Sequence, residues 1–258
     1  MYLIIQYIKF LFRSRNQHGV HSPFIYQLIT QCFYNKTPFE SYETLESFRK
    51  RLYANDTKIL VQDFGAGSRV FKGNVRNIHK IAKTAGITPK RAQLLFRVVN
   101  YLQPKNILEM GTSVGLATSA LSLGHPDSKV LTIEGCKTTS EVAQEQFDHF
   151  EMRNIQLIHG EFDRVMDTKG IKNSNFQLIF VDGNHNKEAT LALFNTLLAN
   201  INNDTIMIFD DIYWSKGMTE AWEEIMKHPK VKVSIDIFYW GMIFFRKEQE
   251  KEHFSIRV

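Results

Sequence analysis

Residues 106–115 read Asn-Ile-Leu-Glu-Met-Gly-Thr-Ser-Val-Gly, and this stretch decides the fold. Asn106 to Met110 is a short, mainly apolar run of strand length, with Gly111 and Gly115 close behind it. Glycine lets a backbone turn tightly and approach a ligand closely. The pattern predicts a strand over 106–110, a turn, and a helix over 114–123 whose N-terminus points at whatever the turn holds. Strand and helix signals alternate from there on. Strands are expected at 129–133, 155–158, 176–181, 205–209, 231–237 and 241–246, and helices at 138–152, 162–167, 187–199 and 218–227. Alternating βα units imply a mostly parallel sheet with helices on both faces, and near-continuous apolar strands fit that burial. Phe238, Tyr239 and Trp240 are too short a link for a parallel crossover, so one of the last two strands runs antiparallel. The expectation is an α/β, doubly wound sheet of seven strands, mostly parallel with one antiparallel, plus a helical N-terminal segment. Such a sheet binds its ligand beyond the carboxyl ends of its strands.

Working outward, the chain divides near Gln103-Pro104. Residues 88–258 form the ligand-binding domain, opening on a helix over 88–102 with Pro89 at its favoured first position. Residues 1–87 form a helical and irregular segment, expected to cover the acceptor site. At 258 residues, 43% hydrophobic and 23% charged, the composition is that of an ordinary globular protein. No run reaches the ~18–20 apolar residues of a membrane span. Residues 1–12 are apolar, but Lys9, Arg13 and Arg15 come late and no small-residue cleavage site follows, so a cytoplasmic protein is expected. Cys32 and Cys136 form no C-x-x-C pair and are read as small hydrophobes. Residues 1–100 hold 16 Lys/Arg against 5 Asp/Glu, while residues 101–258 hold 16 against 22. The basic first part is either a solvated face or a surface for something anionic.

Glu134 ends the second strand, and a carboxylate there can accept hydrogen bonds from both ribose hydroxyls of a nucleoside. A dinucleotide fingerprint would be G-x-G-x-x-G, but Ser113 stands at its second glycine, which disfavours NAD. S-adenosylmethionine (SAM) has no pyrophosphate and needs no glycine there. An acid such as Glu109 suits its amino-acid tail and sulfonium. The E-x-G-x-x-x-G run of Glu109, Gly111 and Gly115, with the acid at 134, resembles the Rossmann-like class I SAM-dependent methyltransferases over residues 88–246. The resemblance implies that Gly111, Ser113 and Gly115 lie beside SAM, that Glu134 binds ribose, and that Gly160, Glu161 and Phe162 flank the adenine. A second glycine stretch, Asp63-Phe64-Gly65-Ala66-Gly67-Ser68, lacks a following amphipathic helix and is read as a loop. Arg69, Lys72 and Arg76 follow it and could touch an acidic substrate.

Three further acids fall at strand ends: Asp182, Asp210 and Asp211. Three converging carboxylates suit a hard divalent cation such as Mg²⁺, which lowers a hydroxyl's pKa and positions it for attack on the sulfonium methyl. The competing reading makes each acid the cap of the helix that follows it. Asp182-Gly183-Asn184-His185 and Asp210-Asp211-Ile212-Tyr213-Trp214 resemble the metal-dependent O-methyltransferases of the catechol and caffeoyl-coenzyme A type and of sugar-modifying pathways. That resemblance implies Asp182, Asp210 and Asp211 as metal ligands and His185, beside Asp182, as the general base. Catechol-type relatives carry a lysine at the position of His185. Sugar-type relatives carry an aspartate base at the position of Asn184, which cannot take a proton. Tyr213 and Trp214 are either packing groups or a substrate platform.

In the N-terminal segment, residues 2–12 have helical spacing of apolar residues, including Ile4, Ile5, Ile8, Leu11 and Phe12. This helix is a docking helix, a homodimer contact or a peripheral membrane contact. His18-Gly19-Val20-His21-Ser22-Pro23-Phe24 has two histidines but no third ligand nearby, and is expected to shape the acceptor pocket. The expected activity is metal-assisted O-methylation of a small hydroxylated metabolite. The rivals are a metal-independent methyltransferase acting on nucleic acid or protein, and a SAM-binding protein without catalysis. No Asn/Asp-Pro-Pro-aromatic motif is present, so a nucleic-acid partner is not expected.

Overall fold

The computed structural model describes residues 1–62, 73–172 and 174–258. The chain opens with α1 (Tyr2–Arg13) and α2 (Pro23–Gln27), which runs into a π-helical turn (Leu28–Phe33). Then come α3 (Ser41–Tyr53), the short strands β1 (Lys58–Leu60) and β2 (Val75–Asn77), α4 (Ile78–Thr84) and α5 (Pro89–Leu102). The alternating part follows as β3 (Asn106–Met110), α6 (Leu116–Gly124), β4 (Lys129–Glu134), α7 (Lys137–His149), β5 (Ile155–His159), α8 (Phe162–Met166) and α9 (Lys169–Lys172). It continues through β6 (Leu178–Val181), α10 (Lys187–Leu197), β7 (Ile206–Asp210), α11 (Lys216–Lys227), β8 (Val233–Asp236), β9 (Trp240–Phe244) and β10 (Glu252–Ser255).

Contacts group the chain into two compact units, residues 35–168 and residues 1–34 with 169–258. In the first unit β3, β4 and β5 pair in parallel in that order. Ile107, Leu108 and Met110 of β3 are buried, as are Leu94, Leu95, Val98 and Val99 of α5 and Ala120 and Leu121 of α6. Helix α5 starts where expected: Pro89 sits at its first turn, and the Thr88 side chain caps the Arg91 amide. In the second unit the strand order is β10, β8, β9, β7, β6. β6 and β7 are parallel, and β9 is antiparallel to both β7 and β8. The one antiparallel strand is therefore β9, as its short link to β8 requires. The expected seven strands become eight: β10 adds to the edge of β8 in parallel. Its four residues are exposed or half-buried, so they give no apolar run for the sequence to reveal.

The N-terminal segment joins the second unit through backbone and charge. The Arg15 amide donates to the Ser255 carbonyl, and the Arg257 amide donates to the Arg15 carbonyl. Asp236, at the end of β8, is wholly buried. Its carboxylate accepts from Arg13 of α1, from the Tyr213 hydroxyl and, at 2.7 Å, from the Phe238 amide. Arg13 is 44% exposed, so water screens the pair, and removing the guanidinium from the buried carboxylate costs about 1–3 kcal/mol, less than for a fully buried pair. Arg13→Ala is therefore expected to lower stability by that order in urea unfolding, whereas Lys9→Ala on the same helix leaves the midpoint nearly unchanged. Equal midpoints for Arg13→Ala and the parent would refute this role for the pair.

Candidate active site

In the first unit, β3 ends in a turn of three left-handed residues: Gly111 at φ 108°, Ser113 at 49° and Gly115 at 84°. Only glycine adopts such angles without cost, so Ser113 needs a tether. Glu134, at the end of β4, supplies it. Its Oε2 accepts the Ser113 amide at 2.7 Å and its Oε1 accepts the Cys136 amide at 2.8 Å. Burial raises the Glu134 pKa, more than the Cys136 and Ser113 amides lower it. Glu109 lies wholly buried one layer below. Its Oε2 accepts from Thr118 of α6 at 2.5 Å and Thr132 of β4 at 2.6 Å. Glu109 thus ties β3 to its neighbour β4 and to helix α6. The Gly160 amide donates to the Glu134 carbonyl. Glu161 immediately precedes α8 and pairs with Arg164 at 3.8 Å, and half-buried Phe162 begins that helix.

Residues before β3 also reach the segment after β4, which the sequence did not signal. The Leu60 carbonyl accepts from Thr138, and the Gln62 amide donates to the Cys136 sulfur at 3.3 Å. Cys136 is thus a hydrogen-bonding group as well as a buried apolar one, and both cysteines are free. The stretch from Asp63 to Ser68, with Arg69 and Lys72, lies outside the described residues. Arg76 is described and donates to the Gly73 carbonyl.

In the second unit, β6 and β7 deliver the other acids. Neither acid-bearing loop uses them as helix caps. Asn186 caps α10, accepting from the Ala189 amide at 2.9 Å, and Ser215 caps α11, accepting from the Met218 amide at 3.1 Å. The loops carry backbone strain: Asn184, His185 and Asp211 have φ of 63°, 30° and 53°. Left-handed non-glycine residues cost about 1–3 kcal/mol each and gather at functional sites. His185 Nε2 lies 3.5 Å from Asp182 Oδ1. Burial pulls the His185 pKa down, but the hydrogen bond and charge of Asp182, then the charges of Asp211 and Asp210, outweigh it and raise it to about 9. His185 is thus an imidazolium at neutral pH, within the field of all three acids. Among the described residues no group of three or more His, Cys, Asp or Glu is placed to hold a metal ion. Trp214 lies beside the His185 ring, with centroids 6.0 Å apart. Tyr213 is buried, stacks on Phe238 and serves Asp236, so it is a packing and hydrogen-bonding group. Burial and the Asp236 charge hold its hydroxyl protonated.

A glycine turn locked to the acid that ends the next strand, on a mostly parallel α/β fold, defines a methyltransferase domain of the class I type. Solved structures share the fold. An O-methyltransferase from Bacillus cereus bound to S-adenosylhomocysteine is 19% identical, with a TM-score of 0.54, covering 82% of this chain and 92% of that one. The O-methyltransferase TomG from Streptomyces achromogenes, in complex with SAM, is 15% identical with a TM-score of 0.56, covering 81% and 91%. The Podospora anserina methyltransferase PaMTH1 gives 16% and 0.56, covering 83% and 99%. A sequence match of 30% identity over 81 residues links the chain to a tRNA (guanine-N(7)-)-methyltransferase from Mycoplasma mobile, covering 31% of this chain and 40% of that protein. The O-methyltransferase family model matches residues 71–237, and the chain belongs to that family.

A Cβ built on Gly115 would stand 2.6 Å from Phe147 Cε1 and 3.3 Å from Phe48 Cζ. Gly115→Ala adds that clash to a left-handed penalty of about 1–2 kcal/mol. It is expected to lower the urea midpoint clearly, whereas Gly73→Ala, where a Cβ meets nothing within 4 Å, leaves it in place.

Proposed function

We propose that the chain transfers the methyl group of SAM to a hydroxyl of a small acceptor. The observation that carries the reading is the Glu134 carboxylate. Its oxygens hold the Ser113 and Cys136 amides, Thr139 also hydrogen-bonds the carboxylate, and the acceptor capacity that remains suits a ribose hydroxyl. The first unit holds the nucleoside in this reading, with Gly111, Ser113 and Gly115 giving its tail close backbone approach, and Gly160, Glu161 and Phe162 bordering the base. SAM supplies an electrophilic methyl on its sulfonium.

The acceptor oxygen must shed a proton as it attacks. Metal assistance through Asp182, Asp210 and Asp211 does not fit the arrangement described. The three acids do not form a donor cage, and the charge beside them is His185. In the proposed reaction Asp182 takes the hydroxyl proton and the imidazolium of His185 stabilises the oxygen as it becomes anionic. His185 then acts as a cation rather than as the resting base. Its Nδ1 is buried and without a hydrogen-bond partner among the described residues, a donor that the acceptor oxygen would satisfy on displacing the groups that cover it.

The first test is calorimetric titration of SAM into the chelator-treated protein and into Glu134→Ala. Saturable binding by the parent, weakened at least about tenfold in the variant by loss of charge-assisted hydrogen bonds, is expected. No SAM binding by the parent would end the reading. Turnover on a panel of phenols and sugars is expected to survive chelation. Loss on chelation with recovery on adding Mg²⁺ would restore the metal route. His185→Gln is expected to lower kcat about 10²–10³-fold, the usual cost of one lost oxyanion partner, while His185→Lys keeps the charge and more of the rate. The tRNA-methyltransferase match favours one second reading, a nucleic-acid acceptor. Steeply salt-dependent tRNA binding is its signature.

A further inference from the structure

Helix α1 is amphipathic with the usual orientation reversed. Its protein-facing side is Tyr2, Gln6, Phe10 and Arg13. The Tyr2 hydroxyl donates to Thr219 at 2.8 Å, Phe10 is buried against Phe238, and Arg13 reaches Asp236. Leu3, Ile4, Ile5, Tyr7, Ile8 and Leu11 are all exposed, and Phe12 is 88% exposed. At about 3.6 residues per turn these side chains span roughly 200° of the helix surface. A globular protein ordinarily buries such an arc and leaves the polar stripe in water. Contiguous exposed apolar surface of this kind marks an interaction site.

Charge identifies the occupant. Residues 1–39 contain no Asp or Glu, and Lys9 and Arg15 are exposed. On α11, the helix that Tyr2 touches, Glu220 and Glu224 are tied to Lys187. Exposed Glu223 lies one turn beyond Thr219 on that helix, so the cationic character belongs to the N-terminal segment itself. A second copy would set Lys9 and Arg15 against their own equivalents. A lipid surface has no such conflict, because it takes the apolar arc at its acyl boundary and the cations among anionic headgroups. The helix is too short to cross a bilayer, and no described helix is long and apolar enough to do so.

We propose that α1 lies in the plane of an anionic bilayer surface, with Ile4, Ile5, Ile8 and Phe12 in the acyl boundary and Lys9 and Arg15 among the headgroups. Helices with a wide apolar face and flanking cations bind membranes in this way. The proposal does not depend on methyl transfer, because binding is read without turnover.

The test is co-sedimentation of the full chain with two vesicle preparations, phosphatidylcholine alone and phosphatidylcholine mixed with phosphatidylglycerol. The mixed vesicles are expected to bind about twentyfold more tightly, at roughly fivefold per exposed cation, and to release protein in high salt. The double variant Ile4→Glu/Ile8→Glu changes only outward positions. It is expected to lose vesicle binding while keeping the parent's melting temperature. Failure of the parent to bind either vesicle would overturn the proposal. So would a concentration-dependent dimer, seen by light scattering, that the double variant abolishes, since the apolar face would then belong to a second copy.

Discussion

The second unit depends on one buried carboxylate. Asp236 sits at the end of β8 with no exposure, and a charge in such a place must be fully partnered. Its partners come from three distant parts of the chain: Arg13 of α1, Tyr213 of the loop after β7, and the Phe238 amide in the turn to β9. The N-terminal helix, the acid-bearing loop and the β8–β9 turn are therefore fixed by the same two oxygens. Tyr213 stands two residues beyond Asp211, so the hub that docks α1 also sets the backbone that presents the candidate site. The aromatic contacts follow the same plan: Tyr7, Phe10 and Tyr213 all pack on Phe238, which itself sits at φ 74°.

The loops at the strand ends show a division of labour. Helix starts need an oxygen for their free amides, and a strand-end aspartate is a natural donor of one. Here Asn186 and Ser215 do that work, four or five residues further along. Asp182, Asp210 and Asp211 are left outside the helices. The backbone then enters left-handed conformations at Asn184, His185 and Asp211, positions where glycine would be easier. Holding a histidine at φ 30° has a cost that capping does not explain, and the fixed approach of His185 to Asp182 is what it yields.

Much of this was legible from residue spacing. The strand at 106–110, the turn at Gly111, the acid at 134 and the antiparallel partner near the C-terminus all follow from local patterns that survive in the fold. Strand and helix ends shift by a few residues because fraying and capping decide them. What stayed hidden depends on distant pairing. Arg13 looked like the basic end of an apolar run, and only the buried Asp236, 223 residues away, explains it. β10 is short and half-exposed, so nothing in its composition marks it as sheet. The amphipathic pattern of α1 was visible, but periodicity alone does not say which face meets the protein.

Two clusters of acid in one unit are balanced in two different ways. Asp236 takes its positive charge from Arg13, a side chain that does not lose its proton at any physiological pH, in a buried setting that favours permanence. Asp182 takes its own from His185, three residues away and partly exposed, a cation with ring N–H groups to donate. A guanidinium suits a fixed structural joint. An imidazolium suits a place where an incoming oxygen gains negative charge. The strained loop that holds His185 would be an expensive way to neutralise an aspartate if neutralisation were its whole purpose, since Asp182 is partly exposed and water could do as much. In the proposed reaction the strain has a use, because it holds a charged group ready for an acceptor oxygen, and that ties the geometry of this loop to the chemistry we propose.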